Sequence, residues 1–191
     1  SFNLSYSNFT QKFNINLSAR YSFTNNSIEQ VTEQVKDTEI EGLQNPTGKE
    51  VLYSTYQNIG KSRNASLSGY VNWNATSNTR IYANLYGNYT YMEGANGLKN
   101  DGWNLFAYGG AQQSLPHDWR ISLNIYGQTP WIMLQGKGSS FFDYGLSVNK
   151  SFLNKRLTLS AFASNFFKKY TSPTSSIEGV GFIQDSWNKY T

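Results

Sequence analysis

Apolar and polar side chains alternate with a period of two along most of this chain. In residues 64–75 the odd positions include Leu67 and Val71, while the even positions carry Asn, Ser and Tyr. Residues 80–91 repeat the pattern, with Ile81 on the apolar side. Successive side chains of a β-strand point to opposite faces. A period of two therefore predicts strands with one apolar and one polar face.

Eight segments carry this alternation, and a ninth is weaker. They span residues 2–7, 13–23, 64–75, 80–91, 103–113, 119–126, 142–149 and 157–164, with the weaker segment near 179–190. Short connections at 9–12, 76–79, 114–118 and 153–155 alternate with long excursions at about 25–60, 92–102, 127–140 and 168–180. Strands joined by tight turns are antiparallel. The pattern predicts an all-β, antiparallel, up-and-down sheet of eight to nine strands, with one tight end and one ragged end.

The polar sides of these strands carry few charges. Only 15% of the residues are charged and 38% are hydrophobic, whereas soluble surfaces are usually richer in Lys and Glu. Aromatic residues make up 16% of the chain and gather near strand ends, as in the two interfacial girdles of a membrane barrel. We therefore expect a transmembrane β-barrel. The alternative is a soluble β-sandwich or barrel with the apolar face inside.

In a transmembrane barrel one face of each strand meets lipid and the other lines the lumen. The residues predicted to face lipid are Leu67, Val71, Ile81, Leu85, Ile121, Leu123, Ile125, Leu146, Val148, Leu157 and Leu159. The residues predicted to face the lumen are Asn72, Asn84, Asn88, Asn124, Asp143, Arg80 and Arg120. The amides could bind a solute or only hydrate the wall, and the arginines could pair with carboxylates such as Asp143.

Enzyme and metal chemistry find little support. The chain has no Cys and a single His, His117, so thiolate sites are excluded and most His-based sites are too. Five acidic residues offer oxygen ligands for Ca²⁺ without the spacing of a calcium loop, so we favour a solvated loop. They are Glu29, Glu33, Asp37, Glu39 and Glu41. A net charge of +4 without a run of like charges does not favour nucleic-acid binding. We expect no catalysis and no cofactor.

Several segments together resemble a known family. They are 53–63 (Tyr-Ser-Thr-Tyr-Gln-Asn-Ile-Gly-Lys-Ser-Arg), 100–103 (Asn-Asp-Gly-Trp), 115–116 (Leu-Pro, ahead of a Trp), 134–137 (Leu-Gln-Gly-Lys) and 150–159 (Lys-Ser-Phe-Leu-Asn-Lys-Arg-Leu-Thr-Leu). In this order they are similar to the C-terminal barrel region of TonB-dependent receptor-like outer-membrane proteins of Bacteroidota. The resemblance covers nearly the whole chain and contains no catalytic motif.

The resemblance implies a barrel of about twenty-two strands, an N-terminal plug and a segment that contacts TonB. Neither the plug nor the usual last strand is visible in the sequence, so we expect residues 1–191 to be a single domain, roughly the last third of a receptor barrel. Its function would be energised import of a nutrient or other solute across the outer membrane. The alternatives are a complete eight-stranded barrel and a scaffold or adhesin subunit of an outer-membrane assembly.

Long loops of such receptors recognise ligand, so aromatic residues in the predicted loops are candidates for stacking on a solute. They could also belong to the upper girdle or pack loop on loop. The candidates are Tyr53, Tyr56, Trp103, Trp131 and Tyr170. Expected partners are outer-membrane lipid and lipopolysaccharide, the plug and the remaining barrel strands. The resemblance adds the TonB system and a surface lipoprotein or other outer-membrane subunits.

Overall fold

The computed structural model describes residues 1–94, 97–168, 172–179 and 182–189, leaving aside the side chain of Ile59. Regular structure in these ranges consists of strands and one short 3₁₀ turn, Asp37–Glu39. The strands are β1 (Phe2–Phe9), β2 (Phe13–Lys36), β3 (Glu50–Asn74), β4 (Thr79–Glu93), β5 (Lys99–Leu115), β6 (Trp119–Gln128), β7 (Ile132–Met133), β8 (Gly136–Lys137), β9 (Phe141–Phe152), β10 (Leu157–Ser164), β11 (Thr174–Gly179) and β12 (Phe182–Trp187). The described residues include no helix with the length and apolar character needed to cross a membrane.

Eight of these strands form one antiparallel sheet, called the wall below. Its order is β1-β2-β3-β4-β5-β6-β9-β10. Neighbours in space are nearly always neighbours in sequence, as hairpin connections require. Within the described ranges β1 and β10 each pair on one side only. The predicted all-β, antiparallel, up-and-down architecture is confirmed.

The two ends of the wall differ. At one end, called the turn end, tight turns join β1 to β2, β3 to β4, β5 to β6 and β9 to β10. In the first of them the Thr10 N–H donates to the Phe13 carbonyl at 2.9 Å. At the other end, called the loop end, the connections are 37–49, 94–98, 129–140 and 165–173. The predicted alternation of short and long connections is therefore confirmed.

The first long excursion proves to be mostly paired strand. β2 and β3 remain paired beyond the other strands, as far as Lys36 opposite Glu50. A bulge between Asn25 and Ser27 interrupts their ladder, and Asn26 adopts a left-handed backbone there, with φ 65°. Such a bulge shifts which side chains share a face. This extension of β2 and β3 projects past the neighbouring strands, so neither of its faces has to be apolar. The alternation of apolar and polar residues that would predict a strand is therefore weak there.

A second sheet of four short strands, called the cap, lies at the loop end. Its order is β12-β11-β8-β7. The ninth wall strand expected near 179–190 is wrong, because β12 pairs with β11 in the cap instead. β12 contains only six residues, too few to span a membrane.

The cap folds over the polar side of the wall. The Asn100 amide donates to the carbonyls of Met133 at 2.7 Å and Gly136 at 2.9 Å. Ile132 packs on Gly102, where a Cβ would come within 2.8 Å of its Cδ1. The connection after β6 therefore turns towards the same face that carries the polar residues of β4 and β5.

Gln135 fastens the cap to the long hairpin. Its Oε1 accepts from the Thr32 N–H at 2.7 Å, and its Nε2 donates to the Thr32 carbonyl at 2.9 Å. Thr32 is only 3% exposed, so water is a poor substitute for either bond. The buried apolar residues of the described chain, Val31, Ile132 and Leu134, all lie at this end. The buried apolar residues thus lie in the cap and in the extension of β2, and not in the rest of the wall.

Arginine substitution on the apolar side of the wall tests how that side is solvated. Leu85→Arg is expected to lower the free energy of unfolding in lipid by about 2–4 kcal/mol if the residue lies near the bilayer midplane. Asn84→Arg, the adjacent residue on the polar side, is the matched control and should change it by about 0.5 kcal/mol or less. Urea titration of the protein folded in lipid vesicles measures both. Equal losses of unfolding free energy in the two variants would show that both sides of the wall are solvated alike.

Removal of the Gln135 amide should release the cap. Gln135→Leu leaves the buried Thr32 N–H and carbonyl unpaired, at a cost of about 1–3 kcal/mol for each group. Hydrogen exchange of the Thr32 amide should accelerate, and the 129–140 connection should become sensitive to protease. Gln30→Leu, an exposed glutamine on the same strand, is the control. Unchanged exchange at Thr32 in the Gln135 variant would show that the bond does not hold the cap.

Candidate functional site

Cross-strand register decides which side chains share a face of the wall. Leu17, Gly69, Leu85 and Ala107 lie opposite one another from β2 to β5. Every residue predicted to face lipid falls on the same face as Leu85, and every residue predicted to face the lumen falls on the other face. The structure therefore places each predicted set of residues on one face of the wall. That lipid covers one face and water the other stays a prediction.

The apolar face has no cover within the described structure. Leu67, Leu85 and Leu159 are 61%, 57% and 59% exposed. Large and small residues alternate across strands: a Cβ on Gly69 would come within 3.2 Å of Leu17 Cδ2. The leucine thus spreads over its glycine neighbour, and the surface is broad and apolar.

Two rows of aromatic side chains border this face. Near the loop end Tyr21, Tyr89 and Trp103 lie in one cross-strand row, and the Tyr89 and Trp103 rings are 5.5 Å apart. Near the turn end Phe13 lies opposite Trp73. Phe13 and Tyr21 are separated by eight residues of β2, which is about 27 Å along a strand. That separation is on the scale of the apolar band of a membrane barrel, roughly 25 Å.

The aromatic residues predicted to lie in ligand-contacting loops are spread over different surfaces. Trp103 belongs to β5 and packs on Tyr89 in the loop-end row, which is the girdle position. Tyr53 and Tyr56 belong to the extension of β3, where they are exposed. The expectation that these three lie in loops is wrong. The pairing of β2 with β3 extends further than the alternation indicates, and Trp103 is the first residue of a segment in which the alternation already predicts a strand.

Trp131 does lie in a connection, between β6 and β7. Its indole covers Gly138, whose N–H donates to the Trp131 carbonyl at 2.8 Å. The ring is 43% exposed, so one face is available at the edge of the cap. Tyr170 lies outside the described residues. Ligand stacking by any of these side chains stays a prediction.

The polar face is joined by side-chain hydrogen bonds between strands. The Ser18 and Ser68 hydroxyls are 2.7 Å apart. The Asn88 amide donates to the Thr90 hydroxyl at 2.7 Å, and that hydroxyl donates to Asn64 Oδ1 at 2.8 Å. Amide and hydroxyl groups thus stabilise one another across β2, β3 and β4, and their remaining donors and acceptors face the open side.

Two charged residues of this face, Arg80 and Asp143, have hydrogen-bond partners other than each other. Arg80 Nε donates to Asn72 Oδ1 at 2.5 Å, and Asp143 accepts from the Asn165 amide at 2.7 Å. The suggested pairing of a lumenal arginine with Asp143 is not found among the described contacts. A neutral amide therefore supplies one hydrogen bond to each of these two charges.

A row of aromatic rings on the polar face, called the aromatic ladder, escaped sequence reasoning. It runs through Tyr82, Tyr108, Tyr126 and Phe141, with successive ring centroids 5.8, 6.3 and 4.8 Å apart. Gly110 lies directly between Tyr82 and Asn124 in the register, so the Tyr82 hydroxyl reaches Asn124 Oδ1 across it. The only local signal is a glycine at a polar position. The ladder offers ring faces beside amide groups, a surface suited to ring-shaped or planar solutes.

The acidic residues considered as calcium ligands do not converge. In the described ranges no group of three or more His, Asp or Glu side chains could hold a metal ion. Asp37 instead closes the loop 37–49: its carboxylate accepts from the Thr47 N–H at 2.6 Å, the Thr47 hydroxyl at 2.7 Å and the Gly48 N–H at 2.6 Å. The hydroxyl of Thr47, followed by the two backbone N–H groups, lowers the pKa of Asp37 below its ordinary value.

The lowered pKa of Asp37 predicts an acid-sensitive loop. Its bonds stabilise the loop fully above the ordinary aspartate pKa, and this stabilisation is lost as the pH falls through the lowered value. Hydrogen exchange at the Thr47 and Gly48 amides should therefore accelerate only in strong acid. Asp37→Ala should abolish the protection at neutral pH, whereas Glu41→Gln, in the same loop, should preserve it. Protection that is already lost at a pH above the ordinary aspartate pKa would contradict the assignment.

Comparison with known proteins gives one match. The family model described as the outer membrane protein beta-barrel family matches residues 1–191. Neither the search of curated proteins nor the search of solved structures gave a match. The family match covers the full length of a chain whose paired strands carry one broad apolar face between aromatic rows. The chain therefore belongs to the outer membrane β-barrel protein family, and it is located in the cell outer membrane.

Proposed function

We propose that this chain forms part of the wall and the outer mouth of a solute-importing barrel of the TonB-dependent receptor type. The observation that carries the proposal is the position of the cap, which folds over the polar face at the loop end through Asn100 and Ile132. A barrel mouth is covered from the lumen side, so the polar face is the inner one. The apolar face then meets lipid, as its exposed leucines favour.

The inner face has the chemistry of a solute path. Its amide and hydroxyl groups bind water along the wall, and the aromatic ladder adds ring faces that bind water only weakly. Tyr126, in the middle of the ladder, is half-exposed to the open side. A solute or a plug with planar groups would find both hydrogen-bond partners and a stacking surface there.

The edges of the wall support a barrel wider than eight strands. In the described structure β1 and β10 each leave one side without a strand partner, and hydrocarbon cannot satisfy the backbone groups on those sides. The interior of an eight-stranded barrel is just filled by its own side chains. A wall that carries the aromatic ladder and is covered by the cap needs a larger lumen. We infer that further strands pair with both edges.

Energised import is the finer part of the proposal. It is supported by the ordered resemblance of residues 53–63, 100–103, 134–137 and 150–159 to TonB-dependent receptors. In such a barrel a plug fills the lumen at rest and moves when TonB acts. Water access to the inner face should then depend on TonB, whichever solute is imported.

Single cysteines test the orientation and the energised step together, because the chain has no Cys of its own. Asn84→Cys places a thiol on the inner face and Leu85→Cys places one on the outer face at the same depth. A membrane-impermeant maleimide applied to whole cells should label position 84 several-fold faster in cells with an active TonB system than in cells without it. Position 85 should react only with a lipid-soluble reagent.

The possible results separate the parts of the proposal. Labelling of position 84 that is equal with and without TonB contradicts energised import and leaves the orientation intact. Faster aqueous labelling at position 85 than at position 84 contradicts the orientation itself. Retention of heat-modifiable gel mobility shows that each variant still folds into a barrel.

A further inference from the structure

The wall has a notch on its apolar face at the loop end. β6 ends at Gln128, opposite Phe106 of β5 and Phe141 of β9, while β5 begins further out at Lys99. The connection after β6 turns to the polar face, where the Asn104 amide donates to the Thr129 carbonyl at 2.8 Å. β9 begins level with the end of β6, so at this level the apolar side next to β5 is open, as a cavity of about 660 Å³.

The floor of the notch is apolar and its rim is polar. Leu105, Ala107 and Gly127 line the floor. A Cβ on Gly127 would lie 3.1 Å from the Phe142 ring, so the missing side chain gives the notch its depth. Ser140 and Lys168 lie among the lining residues at the outer side. The notch therefore runs from hydrocarbon-like to polar towards the loop end.

Among the described residues that line the notch, Lys168 carries the charge. Its ammonium lies 5.2 Å from the centre of the Phe142 ring and donates to the Phe142 carbonyl. A lysine ammonium has three donors, so two are left for another acceptor. No acidic side chain lines the notch among the residues that the structure describes. A lone cation above an apolar floor is complementary to an anionic group attached to a hydrocarbon chain.

We propose that the notch holds one lipid with a phosphate-bearing, anionic headgroup from the leaflet at the loop end. Its acyl chain lies along Leu105, Ala107 and Gly127, and its phosphate accepts hydrogen bonds from Lys168. This site rests on the apolar face meeting lipid and is independent of energised import. The lipid fills the space beside β5 where β6 and β9 no longer pair.

Photocrosslinking of the full-length protein in phosphatidylcholine vesicles tests the site. The probes are phosphatidylglycerol and phosphatidylcholine that carry a diazirine on the acyl chain, and mass spectrometry identifies the labelled residues. Phosphatidylglycerol should label the Leu105–Ala107 segment and Phe142 about tenfold more than phosphatidylcholine does. Both lipids carry the phosphate, but the quaternary ammonium of phosphatidylcholine cancels its charge and repels the Lys168 ammonium.

Three variants separate headgroup recognition from chain binding. Lys168→Ala should abolish the preference for phosphatidylglycerol, and Ala107→Phe should reduce labelling by both probes because it fills the floor. Lys150→Ala is the control: this lysine also lies over aromatic rings, Trp119 and Phe152, but at the turn end. It should leave labelling of the notch unchanged.

Several results would overturn the proposal. Equal labelling by both probes in the parent protein, a preference that survives Lys168→Ala, or a loss in Lys150→Ala would each exclude an anionic-lipid site here. Displacement of the preference by inorganic phosphate alone would show a free-anion site instead. An absence of labelling over the whole apolar face, Leu85 included, would contradict the orientation of the wall and not the notch specifically.

Discussion

Hydrocarbon offers no hydrogen bonds, so a chain that crosses a membrane must satisfy its backbone N–H and carbonyl groups by itself. The wall does this residue by residue through seven antiparallel pairings from β1 to β10. Once the strands are paired, alternation forces one side chain of every two to the outer face. That face is covered with exposed leucines, and the wall has little buried core of its own. The stability of the wall therefore depends on the backbone hydrogen bonds between its strands and on the solvent that surrounds its faces.

Where strand pairing stops, side chains form hydrogen bonds with the backbone N–H and carbonyl groups. Asn100, Asn104, Gln135 and Asp37 all bond backbone groups at the loop end. Gln135 bonds the side of Thr32 that faces away from β3, while Asn104 and Asp37 bond connections outside the strands. The cap and the long hairpin thereby acquire a defined position over the inner face without a large apolar core. The proposed lipid site belongs to the same boundary, because the notch opens where β6 and β9 stop pairing while β5 continues.

Strand positions and faces could be predicted because alternation is a local property. Residues 80–91 lie almost entirely within β4, and Leu85 and Asn84 fall on opposite faces as expected. The extension of β2 and β3 escaped prediction because its faces are not sorted into apolar and polar once it leaves the neighbouring strands. The cap escaped because its strands are as short as two residues, too short for any period to show.

The sequence by itself determined the fold class, the two faces of the wall and which end carries the long connections, since each depends on neighbours along the chain. The tertiary structure alone decided contacts between distant residues. Gln135 and Thr32 are 103 residues apart, and Tyr82 and Asn124 are 42 apart. Their meeting depends on register, and a shift of one residue would carry every side chain to the other face. The aromatic ladder, the cap and the notch therefore exist only once the strands are paired in this register.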